Sequence, residues 1–332
     1  MTPIPTLERL LVEARARGPL RLVVAAAESG TALKAAALAR RQRLADVALV
    51  GDPAGLRRRL AELQEDPALF ELVAAPDDEA AARLAVGMVR AGEAAILMKG
   101  RLQTGDLLRA VLDRRDGLRA GGRLLSDVLV ADHPLSAEPR LVGLTDGGVN
   151  VAPDLAQKRA IIENAVSLFQ RLGYERPRVA CLCAVEKVTA AMPHTEDARA
   201  LAELNARGEL AGCLVSGPLA LDNALSEEAA REKGIDHPVA GRADILLAPT
   251  IEAGNALGKA FTYLAHAHVA HVLVGARAPV LIPSRVERAE DKLLSIALGV
   301  LAAEAPAGAR PEPPRAEAAR LPTPQARRED RD

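Results

Sequence analysis

The sequence has few aromatic residues and no excess of charge of either sign. Its 332 residues include no Trp, two Tyr and three Phe. Since proteins commonly hold bases and sugars by stacking them on aromatic rings, a site for such ligands is not expected. Lys and Arg number 43 against 44 Asp and Glu, and a net charge of −1 provides no general attraction for DNA or an anionic membrane. We therefore expect neither nucleic acid nor a membrane as a partner.

Cysteines and long apolar runs are also scarce. Cys181, Cys183 and Cys213 are too few, and odd in number, for a disulfide framework. The first 18 residues carry charges where the apolar core of an export signal would lie. The longest uncharged run, residues 260–276, is shorter than the ~20 residues that a membrane-spanning helix needs. Together these features predict a cytoplasmic protein.

Short apolar segments alternate with helical patterns along the chain. Residues 20–26 have the pattern of a buried strand, and a turn and a helical pattern over residues 31–42 follow them. The alternation resumes with a buried strand at 178–185 and ends with a helix at 286–304. Such alternation is typical of parallel sheets covered by helices. We expect an α/β protein with two halves, each with its own sheet, followed by a disordered Pro-, Ala- and Arg-rich tail over residues 305–332.

Common motifs for nucleotide binding, hydrolysis and metal binding are absent. No G-x-G-x-x-G follows the first predicted strand, and neither G-x-S-x-G nor H-E-x-x-H occurs. The segment GNALGK (254–259) is one residue shorter than a phosphate loop, and Ala260 follows it instead of Ser or Thr. His266, His268 and His271 have no carboxylate or cysteine near them in sequence. We interpret these histidines as surface or partly buried residues and expect no metal site.

Several collinear motifs give a more specific signal. They are ILMKGRLQTGDLLR (96–109), TDGGVNVAPDLAQKRAIIENA (145–165), SGPLALDN (216–223), PTIEAGNALGK (249–259), VGARAP (274–279) and PSRVERAEDK (283–292). Taken together and in this order, they resemble the phosphate acetyltransferase and phosphate butyryltransferase family, and look closer to its butyryl branch. The resemblance covers nearly the whole chain before the tail.

The resemblance implies both an activity and an architecture. The activity is transfer of a short acyl group, butyryl or acetyl, between coenzyme A and inorganic phosphate in a ternary complex, with CoA as a substrate and no tightly bound cofactor. The architecture is a pair of three-layer α/β domains, arranged as in isocitrate and isopropylmalate dehydrogenases, with the active site in the cleft between them. We expect domain I to comprise residues 1–144 and 272–304 and domain II residues 145–271. The implied assembly is a homodimer or a larger homo-oligomer.

The strongest catalytic candidates lie in the last motif. Ser284 and Arg285 come between an apolar strand and a predicted helix, a position where hydroxyl, guanidinium and backbone N–H groups attract anions. Ser284 and Glu287 also fit an S-x-x-E capping box, which would make the serine purely structural. The resemblance matches Ser284 and Arg285 to the family's catalytic pair. It matches the family's acidic residue to Asp291 in the acetyl branch and to Glu290 in the butyryl branch, and a solvated surface Asp is the alternative for Asp291.

Seven further residues are candidates for binding phosphate or CoA. They are Lys99, Thr104, Arg109, Asp222, Glu252, Gly254 and Asn255. Each also has a structural interpretation as a solubilising, turn or helix-capping residue. The chain departs from the family pattern at His266 and His268, where Lys is common. A catalytically silent acyl-CoA-binding domain of the same fold, with a regulatory or assembly role, is the main alternative to an enzyme. An oxidoreductase of the isocitrate dehydrogenase type is a weaker alternative, because the metal-binding Asp cluster and cofactor loop that it needs are not found.

Overall fold

The computed structural model describes residues 2–284 and 286–304. The catalytic candidate Arg285 and the predicted disordered tail, residues 305–332, lie outside the described residues. The strands of the described part are β1 Leu20–Ala25, β2 Ala45–Gly51, β3 Glu71–Ala74, β4 Ile96–Lys99, β5 Ser126–Asp132, β6 Leu141–Thr145, β7 Arg178–Leu182, β8 Leu214–Leu219, β9 Ile245–Leu247, β10 Ala270–Val274 and β11 Val280–Leu281.

Helices connect most of these strands, as the alternating pattern predicts. They are α1 Leu7–Arg17, α2 Gly30–Arg41, α3 Pro53–Glu62, α4 Asp78–Arg90, α5 Thr104–Val111, α6 Leu155–Arg171, α7 His194–Ala206, α8 Leu221–Leu225, α9 Glu227–Glu232, α10 Ile251–Tyr263 and α11 Ala289–Ala302. In the described part, no helix is long and apolar enough to cross a membrane. The α/β class predicted from the sequence is confirmed.

The strands form a single continuous sheet, so the prediction of one separate sheet for each half is wrong. The strand order is β3-β2-β1-β4-β11-β10-β5-β6-β9-β7-β8. Strand β10 is antiparallel to β11 and to β5, and β5 is antiparallel to β6; the other neighbouring strands run parallel. The antiparallel strands join the two parallel regions. Because β5 and β6 follow each other with no helix between them, the expected strand–helix alternation does not identify them.

Apolar side chains cover both faces of the sheet. In β1, Leu22 and Val24 belong to the apolar cluster on one face, whereas Val23 and Ala25 belong to the cluster on the other. Successive side chains of a strand point to opposite faces, so a strand buried on both sides must be apolar throughout. This explains the uninterrupted apolar run that identifies β1 in the sequence.

Helix α11 lies inside the molecule rather than on its surface. Twelve of its fourteen residues are buried, and it packs against α1, α2 and β10. It begins at Ala289, three residues later than the predicted start at residue 286, because Arg288 before it has an extended backbone (φ −61°, ψ 149°). Residues 282–284 and 286–288 are therefore an irregular connection between β11 and α11, and they contribute to the candidate active site.

Candidate active site

A cavity of about 300 Å³ lies between helix α10, the loop that follows β6 and the connection before α11. Its polar lining residues are Asp127, Asn255, Lys259, Thr262, Tyr263, His271, Ser284, Glu287 and Arg288, and its other lining residues are Leu129, Leu144, Gly147, Gly148, Gly254, Gly258, Ile282 and Val286. Three of the predicted site residues, Ser284, Gly254 and Asn255, are thus brought together. The lining comes from both segments predicted as domains I and II.

Two glycines allow the floor of the cavity to form. A Cβ atom on Gly254 would lie 2.4 Å from the backbone oxygen of Asp146, and one on Gly147 would lie 2.9 Å from the carbonyl carbon of Gly254. The first turn of α10 therefore packs directly on the backbone of the loop after β6. Asn255 secures this contact, because its Nδ2 donates a hydrogen bond of 3.1 Å to the oxygen of Gly147.

The buried carboxylate of Asp146 organises the same loop. Its Oδ1 accepts hydrogen bonds from the backbone nitrogens of Gly148 (2.8 Å) and Val149 (2.9 Å), and its Oδ2 accepts one of 2.6 Å from Nδ2 of Asn150. Burial raises the pKa of Asp146, and the nearby charge of Asp127 raises it further. These bonds shape the T-D-G-G-V-N motif as a rigid turn.

Ser284 lies in a connection that two other side chains hold in place. The backbone nitrogen of Ser284 donates a hydrogen bond of 3.0 Å to Oε1 of Glu287. The buried Lys292 of α11 donates from Nζ to the backbone oxygens of Ser284 and Glu287, both at 2.8 Å, and burial lowers the pKa of Lys292. Glu287 thus makes its half of the predicted capping box. However, Arg288 occupies the N-cap position of α11, with no side-chain capping hydrogen bond, and Ser284 lies four residues before it, so Ser284 does not cap this helix.

The predicted acidic residue Asp291 is buried and already paired. Its Oδ1 lies 2.7 Å from Nδ1 of His268, and its Oδ2 accepts a hydrogen bond of 2.7 Å from Nε of Arg288. Burial acts to raise the pKa of Asp291, but the hydrogen bonds and charges of His268 and Arg288 outweigh it and lower the pKa. The alternative of a solvated surface Asp is wrong, because α11 is enclosed on nearly every side. Neither Asp291 nor the half-buried Glu290 lines the cavity.

An acidic residue and a histidine on adjacent strands line the cavity beside Ser284. Asp127 of β5 is 5% exposed, and its Oδ1 lies 3.6 Å from Nδ1 of His271 on β10. Burial acts to lower the pKa of His271, but the negative charges of Asp127, Glu287 and Asp291 raise it overall. The cavity lining therefore includes a carboxylate, that of Asp127, and an imidazole, that of His271, which accepts a proton when neutral.

The remaining predicted binding residues lie outside the cavity lining. Lys99 is buried at the end of β4, where its Nζ contacts the oxygens of Gly100 (3.4 Å) and Leu102 (3.3 Å). Since Leu281 of β11 is paired with Met98 of β4, Lys99 is at the same sheet edge as the connection that carries Ser284. Its role in binding stays a prediction.

Four other candidates lie on the helices α5, α8 and α10, and three of them, Arg109, Asp222 and Glu252, are exposed. Arg109 on α5 is exposed and pairs with Asp106 at 3.0 Å, and Thr104 is the first residue of the same helix. Asp222 pairs with Lys233 at 2.9 Å, and Glu252 is exposed in the first turn of α10. The structure does not bring these side chains into the cavity, and their binding roles also stay predictions.

The motifs do not predict a site role for Asp127, Lys259, His271 or Arg288, which line the cavity. A signal was present for two of them: Asp127 and His271 each interrupt a run of apolar residues (SDVLVA and AHVLV) in a strand with buried neighbours. A polar residue in such a position must find a partner or a ligand, because an unsatisfied buried polar group is costly. For Lys259 and Arg288 the sequence carries no comparable signal.

Known proteins resemble this chain over most of its length. Residues 78–300 match the family described as phosphate acetyl/butaryl transferase. The chain is 45% identical over 283 residues to the probable phosphate butyryltransferase of Bacillus subtilis, covering 85% of this chain and 93% of that protein. It is 41% identical over 295 residues to the phosphate acetyltransferase of Thermotoga maritima, covering 89% and 99%. The crystal structure of a branched-chain phosphotransacylase from Enterococcus faecalis aligns with a TM-score of 0.75 at 32% identity, covering 85% and 99%.

These similarities agree with the motifs and with their positions in the fold. The T-D-G-G-V-N, E-A-G-N and P-S-R segments are far apart in sequence, and each of them contributes to the lining of one cavity. The family resemblance inferred from the motifs is confirmed. The chain belongs to the phosphate acetyl/butyryl transferase family.

Proposed function

We propose that the protein transfers an acyl group between coenzyme A and inorganic phosphate, acyl-CoA and phosphate giving acyl phosphate and CoA. Relatives named for this activity match the chain over most of its length. The observation that carries the proposal is the position of Ser284, from the P-S-R motif, in a cavity shared with Gly254 and Asn255 of the E-A-G-N motif. Three of the residues that the family resemblance assigns to catalysis and binding therefore line one cavity, which supports the proposal.

The cavity suits the reacting end of the two substrates. Its volume of about 300 Å³ is at the small end of the range for ligand sites, roughly 300–1,000 Å³, so it accommodates an acyl phosphate and a thiol rather than the whole of CoA. Lys259 and Arg288 supply positive charge at its wall, and Ser284 supplies a hydroxyl. We assign Arg285 and Arg109 to the stabilisation of charge on phosphate and on the carbonyl oxygen, with Lys99, Thr104, Asp222 and Glu252 as further contacts to the substrates.

The apolar part of the lining favours a short acyl chain. A Cβ atom on Gly258 would lie 3.2 Å from Cδ1 of Leu129 and 3.7 Å from Cδ2 of Leu144. These two leucines therefore lie close to α10 in the cavity lining, and Ile282 and Val286 are the other large apolar residues that line it. We assign an acetyl or butyryl group to this apolar region. The reaction needs no covalent intermediate, since the thiolate attacks the acyl phosphate directly when both are bound.

The cellular setting and assembly are part of the same proposal. We assign the enzyme to the cytoplasm, a proposal supported by its three unpaired thiols, and to a homodimer or larger homo-oligomer. We keep the division into domain I, residues 1–144 and 272–304, and domain II, residues 145–271, because the cavity is lined by both segments. Light scattering during size-exclusion chromatography measures the assembly directly.

A thioester-formation assay tests the proposed activity. CoA is incubated in turn with acetyl, propionyl and butyryl phosphate, with a chelator present, and an Arg285→Ala variant is assayed in parallel. The proposal predicts chelator-insensitive thioester formation that the variant largely loses, with the fastest substrate identifying the acyl group. Measurable acyl-CoA binding without turnover of any of the three would instead identify a catalytically silent binding domain.

A further inference from the structure

We infer that His271 is the catalytic base of this site and that Asp127 is the residue that positions it. The inference deepens the proposed function and rests on it. It differs from what the family resemblance implies, in which Asp291 or Glu290 deprotonates the thiol. Three features carry it: the placement of His271 and Asp127 in the cavity, the unsatisfied oxygen of Asp127, and the pairing of Asp291 elsewhere.

The register of two strands places both side chains on the same face of the sheet. His271 of β10 is paired with Leu129 of β5, so Asp127, two residues from Leu129, is its diagonal neighbour on that face. The side chain of His271 is 24% exposed and that of Asp127 is 7% exposed. Both line the cavity that Ser284 lines, and the backbone nitrogen of His271 is fixed by a hydrogen bond of 2.9 Å to Oγ of Ser295.

The carboxylate of Asp127 has one oxygen available for His271. Within residues 2–284 and 286–304, Oδ1 of Asp127 is buried without a hydrogen-bond partner, and Nδ1 of His271 lies 3.6 Å from it. A buried acceptor in this state is costly, so it favours a proton on the facing Nδ1. With the proton on Nδ1, the neutral imidazole keeps its lone pair on Nε2, which is the atom that accepts a proton from a substrate.

The charges around His271 keep it basic. Asp127 on β5 and Asp291 on α11 are negative neighbours, as is Glu287 in the preceding connection. Lys259 on α10 and Arg288 are the positively charged side chains that line the same cavity. The net effect raises the pKa of His271 above its ordinary value, despite burial. Raising the pKa of the base brings it nearer to that of the thiol, about 8.5, and so favours the proton transfer.

Asp291 is less suited to accept this proton. Both of its oxygens are engaged, one with His268 and one with Arg288, at 2.7 Å each. These contacts lower its pKa, which weakens it as a base, and its side chain does not line the cavity. Asp291 therefore holds the first turn of α11 in place through His268 and Arg288, and it does so outside the cavity lining.

The proposed step conserves atoms and charge. The thiol proton of CoA passes to Nε2 of His271, and the resulting thiolate forms a carbon–sulfur bond with the carbonyl carbon of the acyl phosphate. The carbon–oxygen bond to phosphate then breaks, and the imidazolium returns its proton to the departing phosphate oxygen. In the reverse direction the histidine takes a proton from inorganic phosphate and gives it to the departing thiolate.

The test compares His271→Gln with His266→Asn in the full-length protein. His266 is exposed outside the cavity lining and has a left-handed backbone (φ +53°), which Asn tolerates well, so it is a matched control. In the wild type, kcat/KM for CoA should fall as pH drops through the pKa of His271, because a protonated imidazole accepts no proton. His271→Gln should lower kcat by at least about 10²-fold and abolish this acid limb, and His266→Asn should change neither.

Asp127→Asn provides a second, independent readout. Without the negative charge the pKa of His271 falls, so the acid limb should move to lower pH while KM for acyl phosphate changes little. The inference would be overturned if His271→Gln kept both the kcat and the acid limb of the wild-type pH profile, or if Asp127→Asn left the acid limb at the same pH. Loss of the acid limb in Asp291→Asn would instead identify Asp291 as the base. An inactive wild type would contradict the proposed function. Failure of the inference is distinct, because it is judged only from variants of an active wild type.

Discussion

Nδ1 of His268 lies 2.7 Å from Oδ1 of Asp291, and this contact joins the segment before β10 to the first turn of α11. Asp291 is 1% exposed, and Nε of Arg288 donates to its other oxygen. The position within the first helical turn is also favourable for a negative charge, since the helix dipole is positive there. Arg288, the last residue of the connection that carries Ser284, is thus held by Asp291 on α11 and by a hydrogen bond to the backbone oxygen of Ala267.

Asp291→Asn should lower the free energy of unfolding by about 1–3 kcal/mol, because two charge-assisted hydrogen bonds are weakened. The pKa of Asp291 is lowered in the folded protein. Its stabilising contribution is therefore fully present above the unfolded pKa of about 4 and is lost as pH falls through the lower folded value. Denaturant unfolding of both proteins at several pH values between 7 and 3 measures how this free energy of unfolding depends on pH.

Glu290→Gln is the matched control for that experiment, since Glu290 is adjacent and only half-buried. Its unfolding free energy should stay within about 0.5 kcal/mol of the wild type at both pH values. An Asp291→Asn variant as stable as Glu290→Gln would show that the contacts of the Asp291 carboxylate are not stabilising.

Ser284→Ala should lower kcat while leaving stability nearly unchanged. The hydrogen bonds of the Ser284 backbone to Glu287 and Lys292 do not involve its side chain, and the N-cap position of α11 is Arg288, not Ser284. Ser226→Ala should give the opposite result, because Oγ of Ser226 accepts a hydrogen bond of 3.2 Å from Ala229 as the N-cap of α9. Loss of that cap costs about 1 kcal/mol. Turnover and thermal melting of both variants separate a catalytic from a capping serine.

Gly254→Ala should destabilise the protein by about 1–3 kcal/mol and reduce substrate affinity. The added Cβ would lie 2.4 Å from the oxygen of Asp146, so α10 must move away from the loop that it packs on. Gly87→Ala in α4 is the control, because nothing lies within 4 Å of its Cβ position, and it should stabilise the helix by up to about 1 kcal/mol. Equal melting temperatures for the two variants would contradict the close packing of α10 on this loop.

The three thiols should resist alkylation in the folded protein at pH 7.5. Burial raises the pKa of Cys183 and of Cys213 to about 11, and it raises the pKa of the fully enclosed Cys181 as well. Thiolate is the reactive form, so native modification by iodoacetamide should be slow and denaturant should release all three. Mass spectrometry counts the adducts, and rapid modification of any one of them without denaturant would show that it is accessible.

Much of the fold is predictable from local pattern, and the exceptions have physical causes. The run at 20–26 identifies β1 because that strand is buried on both faces. The pattern does not identify β5 and β6, which form an antiparallel pair with no helix between them. For α11, the apolar spacing suggests one buried face, but neighbours on nearly all sides enclose it, so the burial of Asp291 and Lys292 depends on tertiary structure.

The candidate site was also predictable only in part, because some of its residues come together through tertiary structure alone. Ser284, Gly254 and Asn255 belong to motifs that a resemblance identifies, whereas Asp127 and His271 meet only through the antiparallel pairing of β5 with β10. Spacing within the sequence carries no information about that pairing, because the two residues are far apart in the chain. Their only local signal is a polar residue within an apolar strand.

The most direct test of the account is the formation of butyryl-CoA or acetyl-CoA from the acyl phosphate and CoA by the purified protein, with Ser284→Ala and Ser226→Ala assayed in parallel. The account predicts thioester formation by the wild type and by Ser226→Ala, and a large loss in Ser284→Ala without a change in melting temperature. Equal turnover by all three proteins would contradict a role for Ser284 in the chemistry, and no turnover by a folded wild type would contradict the assigned activity itself.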